Sequence, residues 1–298
     1  MSKLTFYGFC LHLSLVKTTS MKKILVPSDF SEQAKHALNF AIDWALHNKA
    51  QVHLLHVIEL PVLYDTTLMP ALSFEKEYLD DAAGLAKKTF SSLIKKSNKK
   101  VSITWSVDYG NPTSVILREV KKNKYDLVVM GTKGASGLKE YFIGSNTEKI
   151  VRLSGTPVIA VPASVSFNSI KNVIVATSLS GNQEMVMSTA KQLQELFNAT
   201  LHLVYVNTPA SFRRDTESFE LINGIIKKFS ITKEKFSVVN DITEEDGLIQ
   251  YALKIGKCMV LMATHGRKGL AHALTGSVAE DVVNHIKFPV YTLHPKGK

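Results

Sequence analysis

The sequence has few cysteines and few of the patterns that identify common classes of protein. Its two cysteines, Cys10 and Cys258, form neither a C-x-x-C pair nor a spacing typical of metal sites, which argues against a disulfide framework or a zinc site. No apolar stretch approaches the length of a membrane span. A reducing cytoplasm is therefore the location that we expect.

Motifs of the common phosphate-binding and hydrolytic enzymes are missing too. The chain contains no G-x-x-x-x-G-K-[ST] loop, no G-x-G-x-x-G, no G-x-S-x-G and no convincing pair of nucleophile and base. We therefore predict no catalytic residue and a protein that is not an enzyme, although slow hydrolysis of a bound nucleotide stays open.

Positive charge exceeds negative charge, with 36 Lys and Arg against 26 Asp and Glu. The basic residues are scattered along predicted helices and are not interleaved with aromatic residues, as they would be at many nucleic-acid sites. We favour solvated helix faces over a nucleic-acid or anionic-lipid surface, and we expect neither nucleic acid nor a membrane as a partner.

The first twenty residues stand apart from the rest. Lys3 and the apolar run 4–16 have the outline of a secretory signal, but an A-x-A cleavage site is missing and a core strand begins at Met21. We expect residues 1–20 to be an extension outside the fold, and a signal sequence is the alternative.

Apolar runs of strand length alternate with stretches of helical periodicity, and the alternation occurs twice. Ser31 and Asn111 are predicted helix caps, the latter with Pro112 as the first helical residue. The predicted strands are 21–27, 52–57, 101–107, 127–130 and 157–161, then 172–176, 201–206, 236–239, 258–262 and 289–293. This order predicts an α/β protein with two tandem open parallel sheets. The first domain is predicted at 21–162, a linker at 163–169 and the second domain at 170–298.

The two halves are copies of unequal length. VHLLHV at 52–57 and LHLVYV at 201–206 lie 149 positions apart, whereas Gly144 and Gly276 lie 132 apart. The second copy has therefore lost 17 residues, because the offset falls from 149 to 132. We place the loss in its second loop and helix.

Three histidines raise the question of a metal. His53 and His56 lie three apart on a predicted strand, so they face opposite sides and cannot chelate one ion. His202 repeats His53 in the second copy, and we therefore expect a structural position and no metal site.

A glycine-spaced loop follows the fourth strand of the first half. Gly131, Gly134 and Gly144 can take positive φ or let a ligand approach the backbone, and a helix begins at Ser145 with unpaired N–H groups. This order is suited to phosphate. The spacing G-x2-G-x9-G-S resembles the nucleotide-binding loop of the universal stress protein family, and it recurs around Ala263, which replaces the first glycine.

The resemblance covers nearly all of residues 21–295. It implies two Rossmann-like domains of the adenine nucleotide alpha hydrolase-like type, related by a pseudo-twofold axis, and a bound ATP with or without Mg²⁺. The residues that match the adenine and ribose side of the family site are Pro27, Asp29 and Val57. Those that match the phosphate side are Gly131, Lys133, Gly134, Gly144, Ser145, Asn146 and Thr147. In this group Lys133 would add a cation, and the last three would offer N–H or hydroxyl donors.

Two of these residues have structural explanations that stay open. Ser145 and Glu148 form an S-x-x-E capping box, so the serine can simply start its helix. Asp29 can equally begin the helix that follows the first strand.

The second copy departs from the family pattern at three positions. Ala176 stands in the place of proline, Ser178 in the place of aspartate and Ala263 in the place of glycine. A Cβ at the third position would crowd a phosphate, and loss of the aspartate removes a charged hydrogen bond worth about 1.5–3 kcal/mol. We expect ATP in the first half and weak, partial or no nucleotide binding in the second.

The doubling of the module has a structural explanation. The resemblance implies that single-module relatives are commonly dimers joined through their last strands. The matching strands here, within 156–162 and 288–295, are apolar and would leave hydrophobic edges exposed if unpaired. We predict that they pair within one chain and give a monomer that imitates the family dimer.

The resemblance therefore predicts an ATP-binding sensor or regulatory module of the stress response, which acts on an unknown protein partner. The alternative is a stress-linked scaffold or chaperone-like interaction protein with a vestigial nucleotide pocket. An adenylating enzyme would need a pyrophosphate-binding motif that the sequence does not contain.

Overall fold

Strands and helices alternate along the chain in the computed structural model, which describes residues 21–59, 71–97, 100–132, 145–162, 165–179, 183–231, 234–264 and 278–294. The predicted extension at 1–20 lies outside the described residues. The first half contains β1 (Lys23–Pro27), α1 (Glu32–Asn48), β2 (Gln51–Ile58), α2 (Ala71–Lys96), β3 (Ile103–Tyr109), α3 (Pro112–Asn123), β4 (Leu127–Thr132), α4 (Ser145–Leu153) and β5 (Val158–Pro162). The second contains β6 (Asn172–Ala176), α5 (Glu184–Phe197), β7 (Thr200–Asn207), α6 (Asp215–Phe229), β8 (Glu234–Asn240), α7 (Glu244–Ile255), β9 (Cys258–Ala263), α8 (Val278–His285) and β10 (Val290–Leu293).

The strands form one ten-stranded sheet in the order β3-β2-β1-β4-β5-β10-β9-β6-β7-β8. Neighbouring strands are parallel within each half, and the halves join through an antiparallel pair in which Val290 lies opposite Ala160. Counted inward from the two edges, the strands are equivalent members of the two halves: β3 and β8, then β2 and β7, β1 and β6, β4 and β9, and β5 and β10. A pseudo-twofold axis between β5 and β10 requires this order. The predicted tandem parallel sheets, and the internal pairing of the two last strands, are confirmed.

The shortening of the second copy falls where the sequence predicts it. Helix α2 has 26 residues, whereas its counterpart α6 has 15. The strands on either side differ little in length, because β2 and β7 both have eight residues and β3 and β8 both have seven. The strand lengths are therefore kept in both copies, and the helix accounts for 11 of the 17 residues lost, because 26 minus 15 is 11.

Helix starts in the first half follow local sequence chemistry. The Ser31 hydroxyl accepts a hydrogen bond from the N–H of Ala34 at 3.2 Å, and the Asn111 side chain accepts one from Ser114 at 3.1 Å. Pro112 occupies the first position of α3, where no N–H is needed. Both predicted caps are confirmed.

Helices cover both faces of the sheet, so the central strands are apolar on both sides. Ile24, Leu25 and Val26 in β1 are all fully buried, and burial of such a side chain stabilises the fold by about 1.5–3 kcal/mol. One face packs against α1, α2, α5 and α6, and the other packs against α3, α4, α7 and α8. This arrangement leaves the carboxyl ends of the parallel strands as the natural place for a ligand.

An aromatic cluster lies between the two halves. Phe167 comes from the predicted linker, is 3% exposed and lies 5.3 Å from Phe40 and 4.8 Å from Phe197 by ring centroids. Trp44 of the first half contacts the second half directly, with its ring centroid 6.3 Å from that of Phe197 and 5.9 Å from that of Tyr291. These rings join the two domains into one hydrophobic core.

Among the described helices, none is both long and apolar enough to cross a membrane.

Candidate functional site

The turn after β1 presents Asp29 at the carboxyl end of the first half of the sheet. The Ser28 N–H bonds to the Leu55 carbonyl at 2.8 Å, which holds the turn against β2. The Asp29 side chain is exposed, and its Oδ1 accepts the N–H of Ser31 at 3.0 Å. This bond supports the interpretation that Asp29 helps to start α1. In the part of the chain that the structure describes, Oδ2 has no hydrogen-bond partner, so it can accept from a ligand.

Phe30 is a feature of this turn that sequence reasoning missed. Its φ of 64° is unusual for a bulky residue, and its N–H bonds to the Ser28 hydroxyl at 3.2 Å. Leu179, at the matching position of the second half, has φ 59° and bonds in the same way to the Thr177 hydroxyl at 3.1 Å. The signal was present in the sequence, because a hydroxyl residue stands two positions before an apolar residue in both copies.

The carboxyl end of β2 lies beside this turn. The His56 ring packs on Phe30 with centroids 4.4 Å apart, and His56 Nδ1 lies 2.8 Å from the Ser28 carbonyl oxygen. Val57 is half-buried against the opposite face of the sheet and lies opposite Asp108 in β3. Pro27 ends β1 and is half-buried. The three residues predicted for the adenine side therefore come from two adjacent strand ends.

Gly131 near the end of β4 has an internal reason to lack a side chain. A Cβ there would lie 2.3 Å from the backbone carbonyl oxygen of Gln33. The first turn of α1 thus lies directly against the end of β4. The φ of Gly131 is not in the left-handed region, so backbone conformation does not require a glycine there. This contact accounts for the glycine without a ligand.

The start of α4 is held at the same strand end. The buried Thr147 hydroxyl donates to the Gly131 carbonyl at 3.1 Å, and the Thr113 hydroxyl donates to the Asn146 side-chain oxygen at 3.1 Å. The hydroxyl proton of Thr147 is therefore used within the protein, and the donor that it can offer a ligand is its backbone N–H. N–H groups in the first turn of a helix have no partner within the helix and attract anions. Ser145 is the first residue of α4. The predicted residues Lys133, Gly134 and Gly144 lie outside the described residues.

The second half differs at the equivalent place. Helix α1 begins at Glu32, five positions after Pro27, whereas α5 begins at Glu184, eight positions after Ala176. Ala263 takes the place of Gly131 and is half-buried at the end of β9, and Asn182, which takes the place of Gln33, lies outside the described residues.

The histidines occupy separate surroundings. His53 lies 2.8 Å from both the Thr104 and Ser106 hydroxyls, on the face opposite to the His56 ring. Burial lowers the pKa of both His53 and its counterpart His202. The predicted opposite orientation of His53 and His56 is confirmed. The described residues contain no group of three or more His, Cys, Asp or Glu that could hold a metal.

Comparison with known proteins relates both halves to one family. The profile of the universal stress protein family matches residues 21–162 and 230–294. Universal stress protein E homolog of Haemophilus influenzae is 26% identical over 306 residues, covering 93% of this chain and 98% of that protein. Universal stress protein YxiE of Bacillus subtilis is 29% identical over 144 residues, covering 47% of this chain and 97% of that protein.

Solved structures show the same architecture over the whole chain. A universal stress protein from Archaeoglobus fulgidus has a TM-score of 0.70 at 19% identity and covers 92% of this chain and 98% of its own. A putative universal stress protein from Pseudomonas aeruginosa has a TM-score of 0.65 at 18% identity, and the match covers 93% of this chain and 94% of that one. At these identities the likeness concerns the fold.

Proposed function

The chain belongs to the universal stress protein family, and on that premise we propose that its first half binds ATP or a related adenine nucleotide. One observation carries the proposal: the Thr147–Gly131 hydrogen bond holds the start of α4 at the carboxyl end of β4, on the side of the sheet where the Asp29 carboxylate is exposed. A helix start and a carboxylate at neighbouring strand ends suit a ligand with a polyanion at one end and polar hydrogens at the other.

The proposed roles follow from the chemistry of each position. Asp29 accepts a polar hydrogen from the nucleoside, while Pro27 and Val57 provide apolar walls. The N–H groups at the start of α4 bind phosphate. Lys133 and Gly134, in the loop between β4 and α4, complete the phosphate side, where a cation neutralises charge and a residue without Cβ admits the phosphate chain.

We propose that the second half binds nucleotide weakly or not at all. Ser178 replaces the aspartate, so a charged acceptor is lost. Helix α5 also begins three positions later after its strand than α1 does. One nucleotide per chain is the expected stoichiometry.

In this proposal the chain is a cytoplasmic sensor or regulatory module that carries out no catalysis of its own. ATP would act by shifting the population between two conformations that a protein partner distinguishes, which requires unequal affinity of ATP for the two. The antiparallel pairing of β5 and β10 supports a monomer that imitates a dimer of single modules.

A scaffold or chaperone-like role with a vestigial pocket is the second candidate. Contacts within the protein favour this candidate, because they account for Gly131 and Thr147 without a ligand. The glycine accommodates the backbone of Gln33, and the threonine hydroxyl already donates to the Gly131 carbonyl. The two candidates differ in whether the carboxyl-end site takes up a nucleotide.

Calorimetric titration with Mg·ATP separates them. Asp29→Ala should weaken binding about tenfold to a hundredfold, as expected for loss of a charged hydrogen bond. The matched control Ser178→Ala in the second half should leave affinity unchanged. Gly134→Val should abolish binding. Equal affinity of all four proteins would mean that the site is misplaced, and absence of binding in the parent chain would favour the scaffold.

Hydrolysis is tested by product analysis after long incubation with ATP. We expect no ADP above the level of a buffer control. Sustained turnover that Asp29→Ala abolishes would instead assign the protein an enzymatic activity.

A further inference from the structure

A groove lies on the first half of the sheet, away from the carboxyl ends of the strands where the nucleotide is proposed to bind. It encloses about 440 Å³ and runs from the amino ends of β1 and β2 along the edge strand β3, beneath the last turn of α3. We call it the amino-end groove, and the residues that matter for its chemistry are Lys23, His53, Ser106, Glu119, Lys122 and Tyr125. None of the described residues that line it is among those proposed to bind the nucleotide.

The second half of the chain shows what closes the equivalent space. Tyr251 in α7 occupies the position of Glu119, and its hydroxyl lies 3.0 Å from both His202 Nδ1 and the Ser237 hydroxyl. His202 is 1% exposed. The matching residue His53 is only half-buried, because a glutamate replaces the tyrosine and the space above the strand stays open. The groove is thus a specific difference between two copies of one module.

Glu119 gives the open groove a negative side. Its carboxylate accepts a hydrogen bond from the Asn123 side chain at 2.5 Å and, in the part of the chain that the structure describes, pairs with no cation. Burial raises the pKa of Tyr125 to about 12, and the charge of Glu119 adds to the effect, so the phenol keeps its proton. Burial lowers the pKa of His53 against the opposing effect of Glu119, which leaves its ring neutral near pH 7.

Two lysines give the same groove a positive side. The ammonium of Lys23 donates to the Asn123 carbonyl at 3.4 Å, at the end of α3, and Lys122 lies one position before that asparagine. The other carboxylate of the groove, Asp108, is already paired with Arg118 at 2.6 Å. The lysines would repel a ligand that carries only positive charge, and Glu119 would repel one that carries only negative charge. A ligand with both charges can place its cation at Glu119 and its anion at the lysines.

We propose that the amino-end groove binds a small zwitterion, a free α-amino acid or a dipeptide, with its ammonium at Glu119 and its carboxylate at Lys23 and Lys122. The volume lies within the range of small-molecule sites. Both ring nitrogens of His53 are used by the Thr104 and Ser106 hydroxyls, whereas the Ser106 hydroxyl can make one further hydrogen bond to a polar side chain, as Ser237 does to the phenol of Tyr251. A dipeptide with a tyrosine side chain is therefore the most informative probe.

The experiment is calorimetric titration of the full chain with millimolar glycyl-L-tyrosine. We expect saturable binding of one dipeptide per chain. N-acetyl-glycyl-L-tyrosine lacks the ammonium and glycyl-L-tyrosine amide lacks the carboxylate, so each should bind about tenfold or more weakly. Absence of saturable binding, or equal affinity for all three compounds, would overturn the proposal.

Variants test whether Glu119 is the residue that makes the free dipeptide bind more tightly than the N-acetylated one. Glu119→Gln keeps the size of the side chain, and should bind the free and N-acetylated dipeptides with equal affinity. Glu119→Tyr reproduces the closed second half and should abolish binding. The exposed Glu195 lies on the other face, so Glu195→Gln should behave as the parent chain. A preference for the free dipeptide that survives Glu119→Gln would show that the groove is not the site.

Discussion

Replacing Gly131 with alanine tests how closely α1 packs on β4. The new Cβ would lie 2.3 Å from the carbonyl oxygen of Gln33 and 2.5 Å from its carbonyl carbon. Both atoms belong to the backbone of the first turn of α1, so neither can rotate away as the end of a side chain would. The helix start must move, and the turn that carries Asp29 must move with it.

The expected cost follows from two opposing effects. Overpacking of a well-packed site typically costs about 1–3 kcal/mol, and we expect the upper end because the contact is with backbone. Alanine also restricts the unfolded chain, which returns about 0.4–1 kcal/mol. The free energy of unfolding should therefore fall by about 2 kcal/mol.

Urea unfolding followed by far-ultraviolet circular dichroism measures this change, provided that the dependence on urea stays the same. Gly155→Ala is the matched control, because a Cβ there meets nothing within 4 Å. Its effect should stay within about 0.5 kcal/mol. If Gly131→Ala is as stable as Gly155→Ala, the close approach of Gln33 to the strand end is refuted.

Two further predictions concern buried polar groups. Thr147→Val removes the hydroxyl that donates to Gly131 and should lower the free energy of unfolding by about 1 kcal/mol in urea; a stability equal to that of the parent chain would contradict the bond. Burial lowers the pKa of His202, so below about pH 6.5 the unfolded chain takes up a proton at this residue that the folded chain does not, and stability falls as the pH falls. His202→Gln should flatten the decline of the thermal midpoint between about pH 7 and pH 5, whereas a parallel decline would rule this cause out.

Much of the fold follows from local sequence patterns. Buried parallel strands are continuous apolar runs, which is why the predicted strand 172–176 coincides with β6. Ser31 and Asn111 cap their helices through bonds that span three residues, so their role can be seen in the sequence. The internal pairing of the last strands was also predictable, because two apolar edges in one chain need a partner.

The candidate site was harder to predict, because its geometry depends on contacts between distant segments. The pattern of glycines suggested that Gly131 faces a ligand, but the atoms nearest to its missing Cβ belong to Gln33, which is almost a hundred positions earlier. Similarly, nothing in the sequence around Glu119 indicates a groove. The groove becomes visible only when the residue is compared in space with Tyr251, which closes the second copy.

The number of nucleotides bound per chain tests the central claim most directly. Equilibrium dialysis of the full chain against radiolabelled ATP, at concentrations that saturate the uptake, counts the occupied sites without assuming where they lie. We expect one nucleotide per chain, since the first half keeps Asp29 and the second half has Ser178 in its place. Two equivalent nucleotides, or none, would contradict it.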